Sequence, residues 1–236
     1  MSKSILEINA LNLSFSGQAH PFFSELHMPL KQGKLHNLKG RNGSGKSTLF
    51  GALRGSLDGQ AVVTGSLSVG NQTFSLSPRS GFKQVLQSRV ALVSQKYDTM
   101  IADQFSFAEN LSFASFSRFP CLYRATGNVP SIPDFVGRFG IAYDSPARLL
   151  SGGQRQILAL LMVLQSNPAL LLLDEPTAAL DAVNARMVFE FICELVAVKG
   201  TTALVVCHDL ELANEYCKGS AFELVIDPLT KIRHLA

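Results

Sequence analysis

The sequence predicts an α/β fold built around a mostly parallel sheet, with a small antiparallel β region and an inserted helical segment. Three observations carry the prediction. In the last third of the chain, apolar runs of strand length alternate with helix-length segments, the pattern of strands joined by crossover helices. The runs at 169–175 (ALLLLDE) and 201–207 (TTALVVC) have continuously apolar centres, as in strands covered on both faces. Finally, GRNGSGKST at 40–48 stands between a short strand and a helix, with glycines that let the chain curl tightly.

Each element follows from its local pattern. Residues 5–15 alternate polar and apolar side chains and read as a strand, with a turn at Ser16-Gly17. Residues 21–31 place Phe23, Leu26, Met28 and Leu30 on a second strand; Gly33 marks a turn, and 34–39 form a short third strand. From Ser47 to about residue 57, Leu49, Phe50 and Leu53 share one helix face. Two alternating runs within 60–76 suggest an antiparallel hairpin, 82–88 a helix, and 89–94 a β-rich run ending at Gln95. From 96 to 150 the composition shifts toward Phe, Ser and Pro. A helix over 106–115, followed by Pro120, Gly127, Pro130 and Pro133, gives an inserted, mostly helical subdomain with irregular joints. The helix carrying ILALLMVLQ starts at Gln154, with Ser151 as N-cap, and stops before Asn167-Pro168. Residues 182–199 form an amphipathic helix with Asp181 as N-cap, Lys199 in the last turn and Gly200 as C-cap. A helix over 209–217 and strands at 221–226 and 231–235 close the chain.

Bulk composition excludes several classes. The chain has 236 residues, 47% hydrophobic and 17% charged, with a formal net charge of +3. That is neither a disordered chain, a collagen-like fibre nor a disulfide scaffold. The longest uninterrupted apolar run, 157–164, has eight residues, whereas a spanning helix needs about 20. The sequence pI is 8.7, and so small a positive excess does not argue for nucleic acid or an acidic membrane as partner. The N-terminus lacks the continuous apolar stretch of a secretory signal. Cys121, Cys193, Cys207 and Cys217 form no C-x-x-C pair and no zinc spacing, and read as buried or semi-buried thiols in a reducing compartment.

The string Gly40, Arg41, Asn42, Gly43, Ser44, Gly45, Lys46, Ser47 fits G-x-x-x-x-G-K-[ST] at every fixed position, with Thr48 following. Its glycines turn successive backbone N–H groups inward around phosphate oxygens, and the helix N-terminus adds partial positive charge. Lys46 places an ammonium near the β- and γ-phosphates, and Ser47 offers a hydroxyl to Mg²⁺. This marks the core of a P-loop nucleoside triphosphatase without naming its reaction. Asp174 and Glu175 end the apolar run at 170–173. Two adjacent acids there need compensation. Asp174 is placed to hold the metal and Glu175, facing the other way, to polarise an attacking water.

LSGGQRQ at 150–156 resembles the signature of the ATP-binding-cassette (ABC) ATPases. Further resemblances follow in the family's order: Phe15 where an aromatic stacks on adenine, Gln95 ending a strand, Ala179-Leu180-Asp181 after the catalytic acid, and His208 closing the next strand. The resemblance spans about residues 5–225. It implies a single ABC ATPase domain, 1–236, with a nucleotide-binding core at 1–95 and 156–236 and a helical signature subdomain at 96–155. It also implies that Ser151, Gly152, Gly153 and Gln154 of one subunit close over the ATP of another, with Asp181 beside them. Gln95 is expected at the metal and the attacking water, and His208 at the γ-phosphate. Three positions depart from the pattern: Ala179 stands for a usual Ser, Phe15 for Tyr, and polar Lys39 for an apolar residue.

The expected function is therefore ATP hydrolysis, with Mg²⁺, by a dimer of cassettes, either homodimer or heterodimer. The dimer would drive separate transmembrane permease subunits from the cytoplasmic face of the inner membrane. The likeness to compact bacterial importer subunits suggests uptake of a small organic solute, with a solute-binding protein as an additional partner. Export or lipoprotein release is the alternative. A soluble ABC ATPase acting on nucleic acid or ribosomes is disfavoured, because no basic arm, coiled-coil insertion or second cassette is present.

Overall fold

The computed structural model describes residues 5–58, 60–77, 88–115, 134–178 and 180–236. The strands are β1 (Ile5–Phe15), β2 (Phe23–Lys31), β3 (Leu35–Gly40), β4 (Ala61–Val69), β5 (Gln72–Ser75), β6 (Val90–Val93), β7 (Leu170–Asp174), β8 (Thr202–Val206), β9 (Ala221–Ile226) and β10 (Arg233–Leu235). The helices are α1 (Lys46–Arg54), α2 (Phe107–Ser115), α3 (Gly152–Leu164), α4 (Ala182–Lys199) and α5 (Leu210–Tyr216). Short 3₁₀ segments occupy Tyr97–Met100, Asp134–Phe139 and Ala147–Leu149. Residues 82–87 of the helix expected over 82–88, together with Cys121, the breakers Pro120, Gly127, Pro130 and Pro133, and Ala179, lie outside the described residues.

Among the described residues, the ten strands form one sheet, in the order β5-β4-β1-β2-β10-β9-β3-β8-β7-β6. From β9 to β6 every neighbouring pair is parallel. The β5-β4-β1-β2 part is antiparallel. The two parts meet through β10, which runs antiparallel to β9 and touches β2 in parallel at the single pair Arg233 and Phe23. The sheet is thus parallel where the glycine-rich loop sits and, apart from the single β10–β2 pair, antiparallel elsewhere.

The continuous apolar strands are covered on both faces. Along β7, Leu171 and Leu173 join one hydrophobic cluster while Leu170 and Leu172 join the other. Ala203 and Val205 of β8 likewise separate from Leu204 and Val206. Helices α3 and α4 fill the first cluster, and α1 with the antiparallel strands fills the second. The alternation of β1 slips where Ala10 takes φ 47, opposite a second slip at Glu25 with φ 45. Asn12 joins these irregularities: its Oδ1 accepts from Glu25 N and its Nδ2 donates to the Ala10 carbonyl, both at 2.9 Å.

Strand β3 carries the buried polar residues His36 and Asn37. His36 Nδ1 accepts the Ser220 N–H at 2.8 Å, so Nε2 carries the proton and donates to the Lys31 carbonyl at 3.0 Å. Burial pushes the imidazole below its usual 6.5, against the opposing effect of these backbone bonds. Lys39 is half-buried and stands in register with Glu223 of β9.

Most helix ends agree with the sequence reading, but α1, expected to run to about residue 57, ends at Arg54, where Gly55 at φ 66 caps it. Asp181 accepts from Val183 N and Asn184 N, and Gly200 ends α4 at φ 66. Asp209 caps α5 in the same way. The signature helix, expected to start at Gln154, begins at Gly152. Ser151 is its N-cap in a reciprocal capping box with Gln154. The glycines weaken the sequence signal for helix, and the box compensates by satisfying two otherwise free N–H groups.

Candidate functional site

Parallel strands β3, β8, β7 and β6 all end on one edge of the sheet, the edge where open α/β sheets bind ligands. The glycine-rich loop follows β3. Cys207 and His208 follow β8, Glu175 follows β7, and Gln95 lies just beyond β6. Candidates scattered over more than 160 positions of sequence therefore converge through the sheet order alone.

Gly45 takes φ 102 and leads into α1, leaving the first N–H groups of the helix without a side-chain cap. A Cβ at Gly45 would stand 2.7 Å from Cε1 of Phe22, so only glycine fits between this turn and that ring. Lys46 is 8% exposed, and its Nζ donates to the carbonyls of Gly40 at 2.8 Å and Arg41 at 3.2 Å. The ammonium is thus held across the loop. Ser44 N donates to the Arg41 carbonyl at 3.0 Å, while the buried Ser44 Oγ has no partner. Arg41, Asn42, Gly43 and Ser47 are exposed, and Thr48 is half-buried.

Glu175 and His208 are brought into direct contact. His208 Nε2 lies 2.8 Å from Glu175 Oε1, and since a carboxylate only accepts, the Nε2 proton is the donated one. Glu175 sits at φ 50, an uncommon conformation for a side chain of its size. Its N–H donates to the Val206 carbonyl at 3.0 Å, one strand away. This contact turns the chain sharply after Asp174 and separates the two acids. A cleft of about 340 Å³ opens beside the pair, lined by Thr177, Leu180, Cys207 and Asp209 among others. Asp174 is half-buried, and Gln95 is exposed.

The donors Ser47, Asp174 and Gln95 are all oxygen-bearing, the set that a hard cation such as Mg²⁺ takes. Among the described residues, no group of three or more His, Cys, Asp or Glu side chains could hold a metal alone. The residues fit a cation shared with phosphate and water, as Mg²⁺ is usually bound.

The segment carrying Ser151, Gly152, Gly153 and Gln154 is organised separately. A Cβ on Gly153 would meet Met187 Cε at 2.5 Å and Asn184 Oδ1 at 2.8 Å, and one on Gly152 would meet Leu180 at 3.0 Å. The signature glycines therefore seat α3 against the start of α4. Gln154 Nε2 donates to the carbonyls of Phe139 and Gly140. Ser151 is exposed and Asp181, also exposed, stays engaged as a helix cap. The contacts of this segment run to α4, Tyr97, Phe139 and Gly140, and among the described residues no hydrogen bond joins it to residues 40–48.

Two arrangements escaped the sequence reading. Arg155 donates to Asp98 and Asp103, each at 2.8 Å, and to the Ala147 carbonyl at 3.0 Å. It ties the segment after Gln95 to the signature helix. Asn110, buried, accepts from Ala102 N and donates toward the carbonyls of Ala102, Phe105 and Ser106. Both are long-range or loop-specific pairings with no periodic signature; the only clue was a charged residue inside LSGGQRQ. Phe15 is half-buried at the end of β1, edge-on to Phe22 at 5.5 Å. Cys193, Cys207 and Cys217 are unpaired; burial pushes all three thiols up, Cys217 to about 12, which makes them poor nucleophiles.

The strand, phosphate loop and helix, with a carboxylate ending the buried strand that lies beyond β8 in the sheet, define a P-loop nucleoside triphosphatase. The family profile described as ABC transporter matches residues 23–178. The lipoprotein-releasing system ATP-binding protein LolD of Pseudoalteromonas translucida is 33% identical over 193 residues, covering 81% of this chain and 80% of its own. A tyrosine transport ATP-binding protein of Clostridioides difficile is 30% identical over 221 residues, covering 90% and 85%. Among solved structures, cbiO1 of Clostridium perfringens, part of the ABC transporter complex cbiONQ, has a TM-score of 0.75 at 27% identity, covering 94% and 85%. The chain belongs to the ABC transporter family, as an ATP-binding subunit with ATPase activity.

Proposed function

We propose that the chain forms a head-to-tail dimer of cassettes whose ATP hydrolysis drives separate membrane permease subunits, importing a small organic solute delivered by a solute-binding protein. The observation that carries the catalytic part is the 2.8 Å pair of His208 and Glu175 on the sheet edge that also bears the phosphate loop. Lys46 and the loop N–H groups hold the phosphates, and Phe15 supports the adenine. Ser47, Asp174 and Gln95 would hold Mg²⁺, which would neutralise charge on the phosphate oxygens. Glu175 takes a proton from water as its oxygen bonds to the γ-phosphorus and the bond to the bridging oxygen of ADP breaks. His208 keeps Glu175 aimed and faces the charge that develops on the γ-phosphate.

The signature bears on a second subunit in this reading. Ser151, Gly152, Gly153 and Gln154 pack on α4 of their own chain, and the exposed Ser151 at the α3 N-terminus is suited to a partner's γ-phosphate. Asp181, beside the signature, stays an N-cap. Residues 96–155 act as the helical subdomain that passes motion to the permease, with the core at 1–95 and 156–236. The division falls within α3, so the two parts share a rigid helix. Among the described residues no helix is long and apolar enough to cross a membrane. The chain works at the cytoplasmic face through membrane partners. The relation to LolD supports a second reading, lipoprotein release by a permease of another type.

The test is reconstitution in proteoliposomes with whatever membrane subunits co-purify with this chain. Import predicts ATP-dependent solute accumulation that Glu175→Gln abolishes while ATP is still bound. Release of lipoprotein without solute uptake would replace import by the second reading, and hydrolysis with no membrane subunit retained would overturn the transport assignment.

A further inference from the structure

The guanidinium of Arg233, on β10, lies over the ring of Phe22 with Cζ 3.7 Å from the centroid. Its backbone N–H donates to the Phe22 carbonyl at 3.1 Å, so the two residues are joined through backbone and side chain alike. One Nη donates to the Lys231 carbonyl at 3.0 Å, while the buried Nε has no hydrogen-bond partner. Among the described residues no carboxylate pairs with this cation. Burial pushes the guanidinium below its ordinary value, yet an arginine stays charged in proteins. A desolvated cation without an acid is costly, and the face of Phe22 is its compensation.

Phe22 occupies a junction. One edge of its ring packs on Gly45 of the phosphate loop, where a Cβ would come within 2.7 Å. Phe15 stands against it edge-on at 5.5 Å and Phe23 at 4.9 Å. The ring therefore lies between the loop that takes the phosphates and the aromatic proposed to take the base. Its own strand alone does not fix it: β2 begins at Phe23, and Phe22 is held by its N–H bond to the Leu13 carbonyl and by Arg233.

We propose that Arg233 is a positioning residue for nucleotide recognition, fixing Phe22 and through it the angle between Phe15 and the phosphate loop. The proposal rests on the reading of Phe15 as the base platform. It makes the closing β10 strand, remote in sequence from both motifs, part of the nucleotide site. A residue acting in this way affects ligands that carry a base and spares those with phosphates only.

The test compares Arg233→Met, Arg233→Lys and Phe15→Ala in the full chain, using ATP and inorganic tripolyphosphate as probes. Arg233→Met is expected to weaken ATP binding about fivefold, leaving kcat and tripolyphosphate affinity within about twofold, from the usual strength of a partly desolvated cation–π pair. Arg233→Lys keeps the charge but loses the planar stack, and is expected to show a smaller, ATP-selective loss of about twofold. This conservative variant carries the test should Arg233→Met not fold. Equal weakening of ATP and tripolyphosphate, or no weakening of either, overturns the assignment. If Phe15→Ala weakens ATP and the Arg233 variants do not, this inference alone falls. If Phe15→Ala leaves ATP binding intact, the base platform lies elsewhere and both readings fall.

Discussion

His208 donates to Glu175 across 2.8 Å while Glu175 holds its backbone at φ 50. The contact and the strained backbone belong together, because the left-handed turn directs Glu175 away from Asp174 and toward the neighbouring strand's end. Such outliers persist only where surrounding structure enforces them, and here the Val206 carbonyl does so through the Glu175 N–H. Glu175→Gln is expected to lower kcat by at least about a hundredfold, the scale of a lost general base, with ATP affinity retained. Single-turnover hydrolysis and equilibrium nucleotide binding check the two halves separately. Glu175→Gly should equally lose turnover yet gain up to about 1 kcal/mol in urea unfolding, since glycine adopts this φ without strain.

Arg155 gathers Asp98, Asp103 and the Ala147 carbonyl around one guanidinium that is 17% exposed. Its acidic partners are largely exposed, so solvent screens each ion pair and the global cost of Arg155→Ala should be only about 1 kcal/mol. The effect is expected to be local. Amide exchange should quicken over 97–103 and 147–150, with β7 and β8 unaffected; uniform loss of protection across the sheet would contradict this.

His36 sets a pH dependence whose sign is fixed by its burial. The folded pKa lies below the unfolded value of about 6.5, so on acidification the unfolded chain takes up a proton first. The stabilisation is present above pH 6.5 and is lost as pH falls from there toward the folded pKa. Thermal unfolding should show a falling Tm from pH 7 to about pH 5.5. His36→Gln, whose amide can accept from Ser220 and donate toward Lys31, should flatten that slope.

Gln156 is wholly buried in α3 and neither of its amide atoms has a hydrogen-bond partner. A desolvated, unpaired amide costs about 1–3 kcal/mol. Gln156→Met, nearly isosteric and apolar, should therefore stabilise the chain by about 1–2 kcal/mol in denaturant unfolding. A destabilised variant would mean that the amide is satisfied by ordered water.

The sequence was most legible where geometry is periodic or punctuated. The runs of β7 and β8, and α4 between Asp181 and Gly200, were readable because burial on two faces and helix caps leave local marks. The start of α3 was misplaced by two residues because Gly152 and Gly153 are poor helix formers, and their small size matters only once Met187 and Asn184 are seen against them. Arg155 with Asp98, and Arg233 with Phe22, were invisible because their partners are distant in sequence and neither pairing repeats. The turn at Glu175 was equally hidden, since φ 50 there follows from a hydrogen bond to another strand.

Helix α3 has 13 residues and is therefore a rod of about 20 Å at 1.5 Å per residue. Ser151 stands at its tip, and the first turn is wedged against α4. Pivoting such a rod by about ten degrees around its far end swings the tip by about 3 Å, the span of one hydrogen bond. The contact proposed between Ser151 and a partner's phosphate would thus depend on small angles rather than large travel, and a modest push on the proposed helical subdomain would be mechanically enough to make or break it.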